Sequence, residues 1–377
     1  MSLLEYIDNC GNAILPEDIT EIGESAYKEC TELKSIIIPE GVIEIGEFAF
    51  VGCSSLESIT IPQSVERIGK FAFGFCSNLT SIEITDGNKY FKSAQNCCLS
   101  KDGSTLIFGC KTSIIPESVT RIGEHAFHGC SDLTSIEIPD SVTEIGAFAF
   151  FACFSLESIT IPQGVKRIGK SAFECCYNLN SIIVPNNSVE IIEGGAFSGC
   201  SNLTSIFIPD SVARIGKGAF GGCSNLTSIE ITDGNKYFKS AQNCCLSKDG
   251  STLIFGCKTS IIPDSVVKIG KGAFEGCSDL TSIELPGGVT EIGEGAFSGC
   301  SSLESITIPQ SVKRIGKFAF SLCSDLTSIE LPGGVTEIRE HVFDHCAYLK
   351  RIILIGKMSF DDDDVLKYCS NVQIVYK

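Results

Sequence analysis

The sequence contains no apolar run approaching the roughly 20 residues that a membrane-spanning helix needs. Its first residues, MSLLEYIDNC, also lack the basic region and apolar segment of a signal peptide. Basic side chains are scarce, with 29 Lys and Arg against 46 Asp and Glu, so the formal net charge of −17 repels nucleic acid and anionic lipid. We therefore expect no membrane-spanning segment and no nucleic-acid partner. The 43% hydrophobic content is enough for a sizeable core.

Histidine is also scarce, and the chain offers no obvious group of converging acid, base and nucleophile. Its four histidines form two pairs, His125 with His128 and His341 with His345. Each pair could chelate a metal, but glycine, glutamate or serine fills the same positions elsewhere in the chain. We therefore expect exposed surface histidines, with no metal site and no cofactor, and we expect the chain not to be an enzyme.

Cysteine, in contrast, is abundant and regularly spaced. Of the 21 cysteines, thirteen follow one another at intervals of 23 residues, with one interval of 24 and two of 54. A repeat of this period predicts a solenoid. The thirteen are Cys30, Cys53, Cys76, Cys130, Cys153, Cys176, Cys200, Cys223, Cys277, Cys300, Cys323, Cys346 and Cys369.

One unit, CSSLESITIPQSVERIGKFAFGF from Cys53 to Phe75, shows how a single coil is predicted to fold. The pattern L-x-x-I-x-I in residues 56–61 predicts a strand, and Pro62 ends its pairing. V-x-x-I gives a second inward step, Gly69 permits a tight bend, and A-F-x-x-C predicts a short helical turn. Each coil can bury its apolar edge only against its neighbours.

The stretch GVKRIGKS, residues 164–171, matches the phosphate-binding G-x-x-x-x-G-K-S loop of nucleotide hydrolases. That loop has to lie between a strand and a helix. Here Val165 and Ile168 fall in core columns of the repeat, and the aligned units lose the first glycine and the final serine. The match therefore indicates a repeat unit, and we predict no nucleotide binding.

Each 54-residue interval contains an insertion. Residues 76–116 and 223–263 are identical, and in each copy CCLS, a Lys-Asp-Gly-Ser turn and TLIF predict a β-hairpin projecting laterally from the coil. Cys97, Cys98 and Cys110, with their copies Cys244, Cys245 and Cys257, could form a disulfide or a metal site. Zinc usually takes paired spacings and a fourth ligand, so a structural thiol cluster is favoured.

The repeated pattern L-x-x-I-x-I-P-x-x-V-x-x-I-G-x-x-A-F-x-x-C resembles the BspA-like leucine-rich repeats of surface proteins from host-associated bacteria and protozoa. The resemblance extends over residues 14–355. It implies a right-handed repeat solenoid of about 12 coils, mainly β with short helical turns, and a non-catalytic role in adhesion to host or matrix proteins. We predict a single domain over 1–377, with an N-terminal cap at 1–29, repeats at 30–355 and a C-terminal cap at 356–377.

The redox state of the cysteine ladder has two readings. Neighbouring strands lie about 4.8 Å apart, so adjacent ladder thiols fall within the Cα separation of a disulfide. Their side chains should nevertheless point inward in parallel, and free cysteine packs well as a small buried hydrophobe. Free thiols are the favoured reading.

The repeat has two sets of exposed columns, one predicted to be structural and the other predicted to bind a partner. Beside the Ile-Gly step, charges alternate between coils, as in Glu44 followed by Arg67 and Arg314 followed by Glu337, which predicts weak cross-coil pairs. The outward column of the concave strand is less regular: apolar residues interrupt a stripe of Thr and Glu, as in an interface anchor with a polar rim. We predict a partner-binding column of Ile37, Glu83, Glu137, Ile183, Phe207, Glu230, Glu284 and Glu330, with Ile183 and Phe207 as its adjacent anchors.

These observations favour a protein-binding repeat protein, surface-displayed or secreted, that binds a host or matrix protein through its concave sheet. The alternative is an intracellular leucine-rich-repeat scaffold using the same sheet. A leader peptide in the full gene would favour the first reading, and free thiols throughout would favour the second. The absence of a signal peptide in this chain leaves a cytoplasmic location open.

Overall fold

The computed structural model describes residues 3–356, 365–366, 369 and 372–377. The chain divides into two compact units, Met1–Val189 and Glu190–Lys377. The predicted single domain over 1–377 and the N-terminal cap stay predictions, and most of the predicted C-terminal cap, 356–377, lies outside the described residues. Within the described residues, no helix is both long and apolar enough to cross a membrane.

The first unit contains one short 3₁₀ helix, Leu4–Tyr6, and fifteen strands. In chain order they are β1 (Asn12–Ile14), β2 (Glu21–Ile22), β3 (Ser35–Ile37), β4 (Glu44–Ile45), β5 (Ser58–Ile61), β6 (Arg67–Ile68), β7 (Ser81–Ile84), β8 (Phe91–Ala94), β9 (Cys97–Ser100), β10 (Thr105–Gly109), β11 (Arg121–Ile122), β12 (Glu144–Ile145), β13 (Ser158–Thr160), β14 (Arg167–Ile168) and β15 (Ser181–Ile183).

The described part of the second unit contains sixteen strands. They are β16 (Ile191–Ile192), β17 (Ser205–Ile208), β18 (Arg214–Ile215), β19 (Ser228–Ile231), β20 (Phe238–Ala241), β21 (Cys244–Ser247), β22 (Thr252–Phe255), β23 (Lys268–Ile269), β24 (Ser282–Glu284), β25 (Glu291–Ile292), β26 (Ser305–Thr307), β27 (Arg314–Ile315), β28 (Ser328–Leu331), β29 (Glu337–Ile338), β30 (Arg351–Leu354) and β31 (Gln373–Tyr376).

A regular coil contains a strand of three or four residues and a strand of two. In β5 the side chains alternate, with Ile59 and Ile61 buried and Thr60 exposed between them, as the L-x-x-I-x-I pattern predicts. The two-residue strands stack in parallel, each isoleucine beside the next, as in Ile45 and Ile68. Gly69 follows this strand because a side chain there would collide with the backbone nitrogen of Glu47 in the preceding coil.

The predicted helical turn is wrong. After Gly69 the backbone makes successive turns, with hydrogen bonds from Ala72 N to Gly69 O and from Gly74 N to Phe71 O. Phe71 and Phe75 both have a φ of +58°, whereas every residue of an α-helix has a φ near −60°. The left-handed residues interrupt any helical run, so within the described repeats this edge consists of turns.

The two strands of each inserted hairpin pair as predicted. The prediction that the hairpins project laterally from the coil is wrong. In the first insertion a third strand, β8, joins β9 and β10 in a meander, and β10 continues the stack by pairing in parallel with β11. In the second unit β22 pairs with β23 in the same way. The inserted strands thereby add turns to the stack, which has about 15 turns where about 12 were predicted.

Within the described residues the long strands do not form one continuous sheet. They pair in short parallel ladders, such as β1 with β3, β5 with β7 and β13 with β15 in the first unit. Some ladders end away from the insertions, as between β3 and β5, and beside the first insertion the link from cysteine to proline also shortens, from nine residues (Cys53 to Pro62) to six (Cys110 to Pro116). Residues 110–140 contain the two-residue strand β11 and no long strand, although the link from Cys130 to Pro139 has the usual nine residues.

The core is a column of aromatic rings bordered by the cysteine ladder. Phe50 stacks on Phe73 with ring centroids 5.2 Å apart, and the inserted Phe108 continues the column at 4.4 Å from Phe73. All 21 cysteines are free thiols, in agreement with the favoured reading. Ladder thiols donate to a carbonyl of the preceding coil, as from Cys153 Sγ to Phe127 O at 3.2 Å.

A candidate protein-binding face

The outward positions of the long strands hold the candidate binding residues. Strand pleating directs alternate side chains to opposite sides, so the residue two places before the proline points away from the core. Ile37 is 62% exposed, Ile183 57% and Phe207 40%, although each belongs to a residue type that is usually buried. These apolar side chains are therefore available to a partner.

The two predicted anchors lie in different units of the chain. Ile183 is in β15 of the first unit, where its register partner is Thr160. Phe207 is in β17 of the second unit, where its register partner is Glu230. That each is exposed agrees with the sequence analysis, and that the two form one patch stays a prediction.

The predicted glutamates are all exposed, but they are not equivalent. Glu83, Glu230, Glu284 and Glu330 lie in strands, whereas Glu137 lies in an irregular segment between β11 and β12. Glu330 also forms an ion pair with Lys377, whose Nζ lies 3.3 Å from its Oε2. Glu83 and Glu284 are register partners of threonines in neighbouring strands.

The sequence analysis missed three members of the same outward column. Ile14, Ile114 and Ile261 are 66%, 64% and 66% exposed. Each stands two residues before a proline, as Ile37 does, and this spacing was the signal that could have identified them. Ile14 and Ile37 are register partners in β1 and β3, so they form an adjacent pair of exposed isoleucines within one unit.

The charged residues beside the Ile-Gly step form ion pairs between coils. Arg67 lies 2.5 Å from Glu44, and Arg314 lies 2.5 Å from Glu291. These distances confirm that oppositely charged side chains pair between neighbouring coils. The partner of Arg314 precedes it in the chain, whereas Glu337 was the residue predicted. Exposed pairs of this type contribute roughly 0–1 kcal/mol each, too little to mark a binding site.

The segment that resembles a phosphate-binding loop forms part of a regular coil. Val165 and Ile168 are fully buried, and Arg167–Ile168 is strand β14. The residues after it form turns, so the lysine and serine do not open a helix. The geometry is that of the repeat and lacks the strand–loop–helix arrangement that phosphate binding requires.

The thiols of the insertions point to backbone carbonyls. Cys97 Sγ lies 3.5 Å from Ile114 O, and Cys110 Sγ lies 3.7 Å from Asn96 O. Burial raises the pKa of Cys97 to about 11, so its thiol is protonated at neutral pH. Within the described part of the chain no three potential metal ligands come together. The favoured reading of a structural thiol cluster fits this arrangement.

The histidine prediction is wrong for the first pair. His128 is only 8% exposed, and His125 is half-buried. Both are in contact with phenylalanine rings, and burial lowers the pKa of each to about 4. In the second pair, His345 is exposed, whereas His341 is half-buried, stacks on Phe318 and places its Nδ1 3.0 Å from Asp344 Oδ2.

The stacked coils, the parallel short strands and the outward column of the long strands define a leucine-rich-repeat solenoid. The model of the BspA-type leucine-rich repeat region matches six copies, over residues 3–102, 107–227, 170–249 and 255–373. The chain belongs to this family.

Two solved structures are similar over nearly the whole chain. A leucine-rich cell surface protein from Faecalibacterium prausnitzii is 31% identical, with 98% of this chain and 88% of that chain covered and a TM-score of 0.65. The pneumococcal vaccine antigen PcpA is 22% identical, with 97% and 78% covered and a TM-score of 0.52, which supports the fold alone. None of the curated proteins matches the chain.

Proposed function

We propose that the chain is an adhesin-like binding protein, displayed on a cell surface or secreted, that recognises a host or matrix protein through the outward column of its long strands. The observation that supports this most directly is the exposure of isoleucine and phenylalanine in a column otherwise filled by threonine and glutamate. The family and the similar surface protein from F. prausnitzii support the location. Leucine-rich repeats are generally non-catalytic, and we propose no enzymatic activity for this chain.

The side chains of the column suit a protein partner. Apolar anchors near the centre of an interface usually contribute more binding energy than charges at its rim. Ile183 and Phe207 would supply such anchors, and Glu83 and Glu230 would supply rim charges that steer a basic partner toward the face. Ile14 and Ile37 offer a second apolar position by the same reasoning.

An intracellular scaffold is the second candidate, because all 21 cysteines are free thiols. Disulfides form and persist in secreted proteins, and reduced thiols are typical of the cytosol. Immunolabelling of intact and permeabilised source cells separates the two locations. The binding experiment below applies to either.

The experiment is binding of the purified chain to a panel of immobilised matrix proteins and host-cell surface extracts. We expect Ile183→Asp with Phe207→Asp to abolish binding without unfolding, since both side chains point outward. A second variant takes its substitutions from the duplicated block, in which equivalent positions are 147 residues apart. Ile183→Glu introduces the residue found at Glu330, and Phe207→Thr introduces the residue found at Thr60.

Two controls separate loss of the anchors from added charge. Thr160→Asp with Thr307→Asp adds the same charge to the same column without removing an apolar side chain, and we expect it to retain binding. Glu83→Gln with Glu230→Gln should change mainly the association rate and its salt dependence. Full-strength binding by both folded anchor variants would move the site to the insertions or to another face.

A further inference from the structure

The first insertion creates a cavity at the point where the regular stack is interrupted. Its volume is about 110 Å³, and it lies between the coil ending at Gly74, the inserted strand β10 and the coil that contains His125. The lining includes Phe71, Phe108 and both His125 and His128. All of these residues belong to the first unit, and none has a part in the proposed binding face.

Both histidines are held by aromatic contacts and turn a nitrogen away from solvent. His125 packs between Phe71 and Phe148, with ring centroids 3.6 Å and 5.2 Å away, and His128 stacks on Phe151 at 4.7 Å. The Nδ1 atom of each is excluded from solvent and has no hydrogen-bonding partner among the protein atoms. A buried polar atom left unpaired destabilises a protein, so two in neighbouring side chains require a structural or functional reason.

The second insertion provides an internal comparison. Residues 76–116 and 223–263 are identical, yet 147 positions after Phe71, His125 and His128 the chain has Gly218, Gly272 and Glu275. His125 has a φ of +61°, in the left-handed region that glycine adopts most readily. Packing alone therefore does not require histidine at this junction, because the same insertion folds with glycine and glutamate there.

The separation of the two rings matches a shared metal ion. An ion about 2.1 Å from an imidazole nitrogen lies roughly 3.2 Å from the ring centroid. The centroids of His125 and His128 are 5.5 Å apart, with ring planes at 75°. An ion bound to one nitrogen of each ring would subtend about 120° between the two ring centroids at this separation, close to the angles of trigonal and tetrahedral sites.

The other potential ligands in the cavity have partners already, so only the two histidines remain to bind a metal ion. The Glu124 carboxylate is paired with Lys70 at 3.2 Å, and Cys130 Sγ is directed at Gly109 O at 3.8 Å. Since a water occupies about 30 Å³ in the liquid, the cavity has room for an ion with two or three waters. Paired imidazoles without thiolate or carboxylate suit Zn²⁺, Ni²⁺ and Cu²⁺ better than Mg²⁺ or Ca²⁺.

We propose that His125 and His128 form a binding site for a late first-row divalent transition metal, held through the two Nδ1 atoms and completed by water. The site is specific to the first insertion junction, because the second has no imidazole at the equivalent positions. Two protein ligands and exchangeable waters make this a site of moderate affinity, with open coordination positions.

The test is isothermal titration of the full chain with Zn²⁺ in the presence of a non-thiol reductant. We expect saturable binding that weakens at least about tenfold in His125→Gly with His128→Glu, since loss of an outer-shell partner alone weakens metal sites 10–100-fold. This variant reproduces residues that the second junction already accommodates. His125→Phe is a second variant, because Phe71 and Phe148 fill the neighbouring positions of its column, and it should lose affinity to the same extent.

A matched control and an independent signal complete the test. His341→Ala with His345→Ala removes as many imidazoles elsewhere and should leave Zn²⁺ affinity unchanged. In ¹⁵N spectra of histidine-labelled protein, Zn²⁺ should shift the Nδ1 resonances of His125 and His128 together. Absence of saturable binding by the unmodified chain, or wild-type affinity in either first-pair variant, would overturn the shared site.

Discussion

Substitution of one ladder cysteine would test how the thiols stabilise the stack. Cys153 is fully buried, and its Sγ lies 3.2 Å from the carbonyl oxygen of Phe127 in the preceding coil. That oxygen also accepts a hydrogen bond from Cys130 N at 3.1 Å, so it keeps one partner when the thiol is removed. The structure therefore separates two roles of the sulfur, filling space and donating a weak hydrogen bond.

The two roles predict different results for alanine and serine. Cys153→Ala removes one buried heavy atom and leaves a small void, at roughly 1–2 kcal/mol of unfolding free energy. Cys153→Ser keeps a donor, but its shorter bond places the oxygen about 3.6 Å from the acceptor if nothing moves, which is outside hydrogen-bond range. The buried hydroxyl then costs a further penalty, so we expect roughly 2–3 kcal/mol.

The assay is equilibrium urea unfolding followed by circular dichroism, with stability taken from midpoints at a common slope. Cys300 gives an independent repeat in the second unit, since its Sγ lies 3.1 Å from Phe274 O. The exposed Cys10 is the control, and Cys10→Ser should be neutral. Serine variants as stable as wild type would show that the hydroxyl recovers the bond and would refute the space-filling argument. A large loss of stability on adding reductant would instead reveal disulfides.

Two further predictions concern pH and nucleotide. Burial raises the pKa of Cys53, Cys176 and Cys323 to about 12 from an ordinary value of 9.0. The unfolded chain therefore loses these protons first, so the stability that the buried thiols contribute is complete below about pH 9 and falls as pH rises toward 12, by about 1.4 kcal/mol per pH unit for each such thiol. Urea midpoints measured from pH 7 to pH 10.5 under reductant should show this decline, and a flat profile would contradict it. Isothermal titration with MgATP should show no binding, and Lys170→Ala should leave stability unchanged; micromolar affinity would restore the phosphate-loop reading.

The sequence predicted the features that depend on packing between equivalent positions of successive coils. Buried columns such as Ile59, Val142 and Ile145 have few alternatives, because each is followed 23 residues later by a buried residue of the same type. The spacing of 23 residues fixes the register between coils, which is why the buried columns and cross-coil charge pairs could be predicted without coordinates.

The errors arose where the backbone departs from that spacing. The predicted helical turn assumed negative φ throughout. Phe71 and His125 instead adopt left-handed conformations, which their residue types did not predict. No long strand forms beside the shortened link before Pro116, a difference in length that the average repeat unit does not show. Burial of His128 depends on contacts with the coil before the insertion, more than 50 positions away in sequence. Single-unit patterns do not contain that information.

The internal duplication separates what the fold requires from what it permits. Along the outward column, Glu83, Glu137 and Thr160 recur unchanged 147 positions later, as does Ile114 in the form of Ile261. Ile183 does not recur, because its counterpart is Glu330, and Phe207 replaces the threonine found at position 60.

Equivalent strands thus accept an apolar or a polar residue at these outward positions, so neither packing nor strand formation explains the apolar choice. The same reasoning applies to His125 and His128 at the insertion junction. Positions that the repeated fold leaves open, and that nevertheless hold exposed apolar groups or unpaired imidazoles, are the ones at which a ligand can account for the residue.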